Sequence, residues 1–147
     1  MSDDFHADAL RYREKKILIS LSDRMRKYLK KRINPYDAFL KCQNHMLDLA
    51  EAYVDRLVYR ETWKTLNTLK ASPEKDVLMK IVRYYALNIL SSHKGWYLEN
   101  DFMEGSKTKA IRRIINKLNQ ELRMEVEGLV DAFDIPEESL RAQIVMG

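Results

Sequence analysis

Apolar residues recur every three or four positions along most of the chain, the spacing that places them on one face of an α-helix. The first such stripe runs from about Ala7 to Arg32. Asn34 and Pro35 follow, and they mark a stop and a new start, because proline cannot continue an incoming helix but suits the first position of the next. The second helix then meets no glycine or proline until Pro73. We therefore predict two long helices joined by a tight reversal.

The second half of the chain repeats these signals. A capping hydroxyl, a proline and an acid at Ser72–Glu74 predict the start of a third helix. Its apolar stripe fades at Ser91–Gly95, where Trp96–Leu98 would add one more turn. The last stripe runs from near Ser106 to Ala132, and Pro136 closes it before a short amphipathic tail.

Four amphipathic helices with short connections favour antiparallel neighbours. We therefore predict an all-α fold, an antiparallel up-down four-helix bundle with a short C-terminal tail. The 147 residues are enough for one domain with a core and too few for two, so residues 1–147 are expected to form a single helical-bundle domain. Only four glycines and three prolines are present, which argues against the many turns of an all-β chain.

Charge and cysteine content limit the kinds of partner and the cellular compartment that the chain is expected to have. The net charge is only +4, with both signs interspersed, so no anionic partner is demanded. The single cysteine, Cys42, cannot form an internal disulfide, which favours a reducing compartment. The first residues lack the pattern of a signal peptide, and no apolar run is long enough for a membrane span. The last three residues, Val145–Gly147, do not resemble a peroxisomal tripeptide. We expect a cytoplasmic protein of bacterial type with no membrane partner.

Candidate chemistry is sparse. None of the histidines follows a glutamate by three positions, so the Glu-x-x-His step of a di-iron bundle is missing. His45 and Asp48 share helical spacing, but one pair cannot close a metal site, and we expect no metal. Cys42 lies inside the second helix, where a packed, inert thiol is favoured. The glycine patterns of nucleotide-binding loops do not occur either. We predict no catalytic residue in this chain.

Two basic clusters and several aromatic residues have a structural and a functional interpretation. The basic clusters are expected to be solvated helix faces, with nucleic-acid binding as the less favoured alternative. The aromatic residues are expected to lie in the core, and those left partly exposed would form a docking surface. The clusters are Arg24, Arg26, Lys27, Lys30, Lys31 and Arg32, and Lys107, Lys109, Arg112, Arg113 and Lys117. The aromatic residues are Trp63, Tyr84, Tyr85, Trp96, Tyr97 and Phe102.

Five segments, taken in order, resemble the carboxy-terminal helical domain of acyl-CoA oxidases and their acyl-CoA dehydrogenase-like relatives. They read DALRYRE from Asp8, NPYDAF from Asn34, KCQNH from Lys41, GWYLE from Gly95 and LVDAFDIP from Leu129. The similarity spans nearly the whole chain. No segment is a catalytic signature by itself, but five in the family's order make chance agreement implausible.

The resemblance implies a flavoenzyme of fatty-acid β-oxidation in which FAD removes two hydrogens from an acyl-CoA thioester. The family's catalytic glutamate and its flavin-holding domains precede the matching region, so no catalytic or FAD residue is assigned here and FAD belongs to the parent enzyme. The expected partners are the flavin-binding domains and a second copy in a homo-oligomer. The chain is then either a fragment or a stand-alone relative whose enzyme partner is a separate polypeptide.

Within this resemblance, six residues are structural or interface candidates. Asp131 is expected to cap or pair near the helix end, with a docking contact as the alternative. A stand-alone helical interaction or self-association module without enzymatic activity is the second interpretation of the whole chain. The candidates are Gly95, Trp96, Leu129, Val130, Asp131 and Phe133.

Overall fold

A computed structural model describes residues 3–135 of the chain. Every regular element in this range is helical, so the all-α prediction is confirmed. The helices are α1 (Asp3–Lys30), α2 (Pro35–Thr68), α3 (Pro73–Ser92), α4 (Lys94–Glu99), α5 (Gly105–Arg123) and α6 (Val126–Asp131).

Both predicted start signals act as expected. The Asn34 side chain accepts a hydrogen bond from the backbone N–H of Tyr36 at 2.8 Å, with proline at the first position of α2. The Ser72 hydroxyl accepts one from the N–H of Lys75 at 3.2 Å at the start of α3. These caps satisfy N–H groups that have no partner inside the helix, which is why the two helices begin there.

Two helices end in the same left-handed turn. After α1, the N–H of Ile33 donates to the carbonyl of Tyr28 at 3.2 Å, and Arg32, between them, has φ of 56°. After α4, the N–H of Phe102 donates to the carbonyl of Tyr97 at 3.0 Å around Asp101, whose φ is 54°. This is the Schellman pattern, which reverses the chain and satisfies the last carbonyls.

The last two predicted helices are each divided. The helix predicted to end near Ser91–Gly95 stops at Ser92, and the extra turn is a separate helix, α4. The helix predicted from Ser106 to Ala132 breaks at Met124 and Glu125, where the N–H groups bond three residues back instead of four. That tighter turn changes the direction of the chain, so the apolar stripe continues in α6 along a different helix axis.

The core is centred on α3, which packs on α5, α2 and α1. Its buried face meets side chains from every other helix except α6. The large members of this core are Leu10 from α1, Tyr59 and Leu66 from α2, Val82, Leu87 and Leu90 from α3, Tyr97 from α4, and Ile111 and Leu118 from α5.

The prediction of a closed up-down four-helix bundle is not confirmed. Six helices are present in residues 3–135, and α5 packs chiefly on α3 instead of closing against the α1–α2 pair. A helix of 20 residues such as α3 is about 30 Å long, whereas the 34 residues of α2 reach about 51 Å. The end of α3 reaches His93, which faces Glu51. The part of the α1–α2 hairpin beyond that point, residues 17–50, is named the hairpin tip.

Candidate functional site

A buried arginine, Arg13, lies where α1, α2 and the α3–α4 corner meet. Its side chain is 4% exposed. Nη2 donates to Oε2 of Glu51 at 2.8 Å, and Nη1 donates to Oδ2 of Asp55 at 3.3 Å. Nη2 also lies 3.3 Å from Nδ1 of His93, and the Tyr85 hydroxyl donates to the other oxygen of Asp55 at 3.2 Å. One guanidinium therefore ties three helical segments together, and we call these five residues the Arg13 cluster.

The geometry fixes the tautomer of His93. Arginine has only donors, so Nδ1 of His93 must accept the bond from Arg13 and the ring proton lies on Nε2. That Nε2 is 3.6 Å from Oε2 of Glu51. Burial, followed by the charge of Arg13, lowers the pKa of His93. The ring is therefore held neutral as part of the cluster.

The pKa values of the two carboxyl groups in the cluster are shifted in opposite directions. The hydrogen bond from Arg13 lowers the pKa of Glu51, whose side chain is 53% exposed. Burial raises the pKa of Asp55, although hydrogen bonding from Tyr85 and the charge of Arg13 oppose that shift. Burial also raises the pKa of Tyr85 to about 12, so its hydroxyl remains a donor at neutral pH. The cluster is a structural ion network with one solvated carboxylate.

Three potential metal ligands occur together in this cluster. One atom each from Glu51, Asp55 and His93 lies within 4.8 Å of the others. All three face the guanidinium of Arg13, however, which already supplies a positive charge at their centre. A metal ion would have to displace a buried arginine and leave it unpaired, at a cost of several kcal/mol (about 3–5). We therefore assign no metal to this cluster.

A cleft of about 520 Å³ separates the first turns of α1 from the end of α2. Its floor is the stacked pair Tyr59 and Trp63, with ring centroids 5.8 Å apart. Each arginine on its rim already pairs with a carboxylate, which a phosphate-bearing cofactor would have to displace. We therefore assign no flavin-binding residue to this cleft. The pairs are Arg11 with Asp8, Arg56 with Glu14 and Arg60 with Glu61.

The hairpin tip carries an unusually apolar surface. Its seam is closed by small or aliphatic side chains, among them Ile17, Leu21, Ala38 and Cys42. Outside the seam, α2 is apolar on one flank and on the face opposite the seam. Phe39 lies on that flank, about 100° around the helix from the buried Ala38, whereas Leu40 and Leu47, seven residues apart, lie on the opposite face. Leu47 is 62% exposed. The exposed apolar side chains of the tip are Leu18, Ile19, Leu29, Tyr36, Phe39, Leu40 and Leu47.

The predicted candidates in α4 differ in environment. Gly95 is exposed, and a side chain added there would meet nothing within 4 Å, so packing does not require glycine. Trp96 is half-buried and contacts the rings of Tyr12 and Tyr97 at 6.1 and 5.2 Å. The adjacent Tyr97 is fully buried, and its hydroxyl donates to the carbonyl of Ala9 at 3.1 Å. Trp96 therefore belongs to the packing that joins α4 to α1.

The candidates at the C-terminal end lie on α6 and the turn after it. Leu129 is half-buried, whereas Val130 and Phe133 are 62% and 75% exposed. Asp131 is exposed and forms neither a cap nor an ion pair with another residue in the range 3–135. The structure does not bring these residues together with Gly95 and Trp96. The amphipathic tail predicted after Pro136 lies outside the described residues.

Several smaller predictions also have an outcome. Cys42 is fully buried in the seam, which confirms the packed thiol. His45 is half-buried, at the edge of the core as expected. The six aromatic residues predicted for the core are all buried or half-buried, and Tyr97 is the most completely enclosed. Within residues 3–135, no helix has the length and apolar character needed to cross a membrane.

The sequence prediction missed the Arg13 cluster. One signal was present, since Arg13 falls between Leu10 and Ile17 on the apolar stripe of α1. A charged residue at such a position is buried and needs partners. Those partners, Glu51 and His93, are 38 and 80 residues away in sequence, which is why spacing alone could not identify them.

Comparison with known proteins identifies the family. The family model described as acyl-CoA oxidase matches residues 4–146. "Acyl-coenzyme A oxidase 2, peroxisomal" of Arabidopsis thaliana is 30% identical over 142 residues, which is 97% of this chain and 20% of that protein. "Acyl-coenzyme A oxidase-like protein" of Mus musculus is 24% identical over 94% of this chain and 22% of its own length. "Acyl-coenzyme A oxidase 2" of Yarrowia lipolytica is 22% identical over 87% of this chain and 18% of its own.

Residues 3–135 thus form an all-helical structure with a buried ion network and an exposed apolar hairpin. It belongs to the acyl-CoA oxidase family, because the family model covers nearly the whole chain. The resemblance drawn from the five segments is confirmed. The chain spans about a fifth of the length of the curated relatives it matches.

Proposed function

We propose that this chain is the carboxy-terminal helical domain of an acyl-CoA oxidase-type flavoenzyme of fatty-acid β-oxidation, without catalytic activity of its own. The parent enzyme uses FAD to remove two hydrogens from an acyl-CoA, and oxygen or another acceptor reoxidises the flavin. The domain packs against the flavin-bearing part and supports a homodimer. The cytoplasmic setting stays a prediction, although the names of two relatives include the word peroxisomal.

The observation that carries this proposal is the hairpin tip. A helix that is apolar on most of its circumference is normally buried inside a larger protein. In α2 the seam to α1 covers one side, whereas Phe39 remains exposed on one flank and Leu40 and Leu47 remain exposed on the opposite face. Exposed apolar surface of this kind marks a protein interface. The remaining four-fifths of the relatives' length would supply a partner large enough to cover it.

A pair of matched variants tests the docking role in the chain joined to its flavin-bearing domains. Leu47→Glu places a charge in the apolar surface, whereas Asn44→Glu adds the same charge one turn earlier at an exposed polar position. We expect Leu47→Glu to weaken dimerisation and flavin retention at least tenfold, because a buried charge without a partner is costly. Sedimentation and flavin absorbance measure both effects. Equal behaviour of the two variants would contradict the docking role.

The lack of independent activity has its own test. The purified chain should not oxidise acyl-CoA in the presence of added FAD, and activity at the level of a family enzyme would overturn that part of the proposal. The DNA immediately upstream of the codon for Ser2 decides between fragment and separate polypeptide. A reading frame that continues into flavin-bearing domains supports the fragment. A stop codon supports a stand-alone relative.

A stand-alone self-association module is the second candidate, and the same surface favours it. Two copies stacked through their hairpin tips would form an intermolecular four-helix bundle with a two-fold axis. The chain alone would then dimerise with a concentration dependence that Leu47→Glu removes and Asn44→Glu preserves. A chain that stays monomeric at high concentration excludes this candidate without affecting the first.

A further inference from the structure

The face of α2 opposite α1 carries a stripe of residues that follow one another in alternating steps of four and three. This is the heptad spacing of a helix that packs along a second helix in a coiled coil. The stripe covers about three and a half heptads, or roughly 37 Å of helix, which is long enough for such a pairing. We call it the outer stripe, and its residues are Tyr36, Leu40, Gln43, Leu47, Ala50, Val54, Leu57 and Glu61.

The apolar residues of the outer stripe are exposed, apart from the half-buried Leu57. Leu47 is 62% exposed, and Val54 is 52% exposed. The contact of α2 with α1 is made on the other side of the helix, where Ala38 and Cys42 are fully buried. In residues 3–135, α2 therefore has two faces suited to packing, and the one with the heptad spacing remains open to a further helix.

We propose that a second copy of this chain covers the outer stripe, with α2 packed antiparallel on α2 about a two-fold axis between Leu47 and Ala50. The pairing rests on the homodimer proposed above and specifies where its two copies meet. The steps of the stripe read the same from either end, as an antiparallel two-fold pair requires. Leu47 then packs on the partner's Ala50, a large side chain on a small one, and Leu40 packs on the partner's Leu57. The two hairpins together form a four-helix bundle.

Charge favours the antiparallel orientation over the parallel one. In a parallel pair each residue faces its own copy, so two Glu61 carboxylates would meet in the contact and repel each other. The antiparallel pair places Glu61 opposite the partner's Tyr36, whose hydroxyl can donate to the carboxylate. It also brings Glu61 near the partner's Lys31 and Arg32, which precede α2. Because the two-fold axis repeats this contact, both ends of the pairing are complementary in charge.

Cysteine cross-linking tests the orientation in the full chain. In a Cys42→Ala background, the exposed Gln43 and Val54 are replaced by cysteine in two separate chains, one of which carries an affinity tag. The antiparallel pair places Gln43 opposite the partner's Val54, whereas the two copies of either residue lie about 16 Å apart along the helix axes. A disulfide needs Cα atoms within about 7 Å. We expect the mixed chains to form the tagged–untagged disulfide at least tenfold faster than either chain cross-links alone. Cross-linking of Gln43→Cys alone at the mixed rate would indicate a parallel pair and overturn the proposal.

A second measurement needs no cysteine and separates this pairing from a contact confined to the hairpin tip. Val54 belongs to the outer stripe but lies beyond residues 17–50, so Val54→Glu should weaken self-association of the purified chain at least tenfold, because it buries a charge without a partner. Asn44→Glu, on an exposed polar position beside the stripe, is the matched control and should preserve self-association. Sedimentation over a range of concentrations measures both, and circular dichroism checks that each variant is folded.

Two results of this measurement would overturn the pairing. If Val54→Glu associates as tightly as the Asn44→Glu control, the contact between copies lies elsewhere. If the unaltered chain stays monomeric at high concentration, the outer stripe does not bind a second copy. Neither result decides whether the domain packs against the flavin-bearing part, since flavin retention in the joined chain tests that role separately.

Discussion

Nη2 of Arg13 donates to Oε2 of Glu51 across 2.8 Å, although the arginine side chain is 4% exposed and the glutamate side chain is 53% exposed. A buried guanidinium is thus neutralised partly by a carboxylate that keeps its contact with water. This arrangement limits the desolvation cost, because only one member of the pair leaves solvent completely. It also makes the arginine the member on which the junction of α1, α2 and α3 depends.

Replacing Arg13 by methionine should destabilise the domain by about 3 kcal/mol. The apolar stem is retained, but the half-buried Asp55, whose side chain is 17% exposed, loses its cationic partner. Urea unfolding followed by circular dichroism measures the change. Adding Asp55→Asn should recover part of the loss, because the orphaned charge is removed. The control is Arg26→Met, where an exposed pair at 3.6 Å to Asp23 should be worth less than about 1 kcal/mol. Equal losses in Arg13→Met and Arg26→Met would contradict the buried role.

The pKa of His93 predicts how stability changes with pH. Burial holds this pKa below its ordinary value near 6.5, so the unfolded chain binds the proton first as the pH falls. Stability is therefore lost from about pH 6.5 down to the folded-state pKa. Glu51, whose pKa is lowered, adds a loss of the same sign at lower pH, whereas Asp55, whose pKa is raised, acts in the opposite direction.

The variant His93→Gln isolates this contribution. Glutamine can accept the hydrogen bond from Arg13 but does not titrate, so the unfolding free energy should vary less between about pH 5 and pH 7. Denaturant unfolding across this range measures the slope. The exposed substitution Asn44→Gln, which changes no titrating group, serves as the control and should keep the original slope. If His93→Gln leaves the pH dependence unchanged, protonation of His93 is not what destabilises the domain.

Local chemistry explains which parts of this fold were predictable. Asn34 and Ser72 predicted two helix starts correctly, because capping involves residues only two or three positions apart. No glycine or proline marks the break at Met124, and the three- to four-residue spacing of apolar residues continues across it. Arg13 is recognisable as a charged residue within the apolar stripe of α1, but its partners come from other helices and cannot be identified by sequence spacing. The open arrangement of the helices could not be predicted from hydrophobic periodicity. An apolar stripe shows that a helix packs against something, but it does not show which helix is its neighbour.

Arg32 offers a stabilising substitution. It adopts the left-handed φ of 56° in the turn after α1, which costs a side-chain-bearing residue about 1 kcal/mol and costs glycine nothing. Arg32→Gly should therefore raise stability by about 0.5 kcal/mol, after allowance for the greater freedom of glycine in the unfolded chain. Thermal unfolding measures the gain. Asp101→Gly, at φ of 54°, should gain less, because aspartate tolerates this conformation better. A loss of stability in Arg32→Gly would show that its side chain contributes more than the turn costs.

The hydroxyl of Tyr97 allows one hydrogen bond to be tested without disturbing the core. It donates to the carbonyl of Ala9 at 3.1 Å and joins α4 to α1, while its ring contacts Trp96 and Phe102. Tyr97→Phe keeps the ring and removes the bond, so we expect a loss of about 1 kcal/mol. Tyr97→Leu also removes the ring contacts and should cost about 2–3 kcal/mol more. Tyr36→Phe, at a side chain 66% exposed, is the matched control and should change the unfolding free energy by less than about 0.5 kcal/mol. A Tyr97→Phe domain as stable as the Tyr36→Phe control would mean that ring packing alone holds α4 against α1.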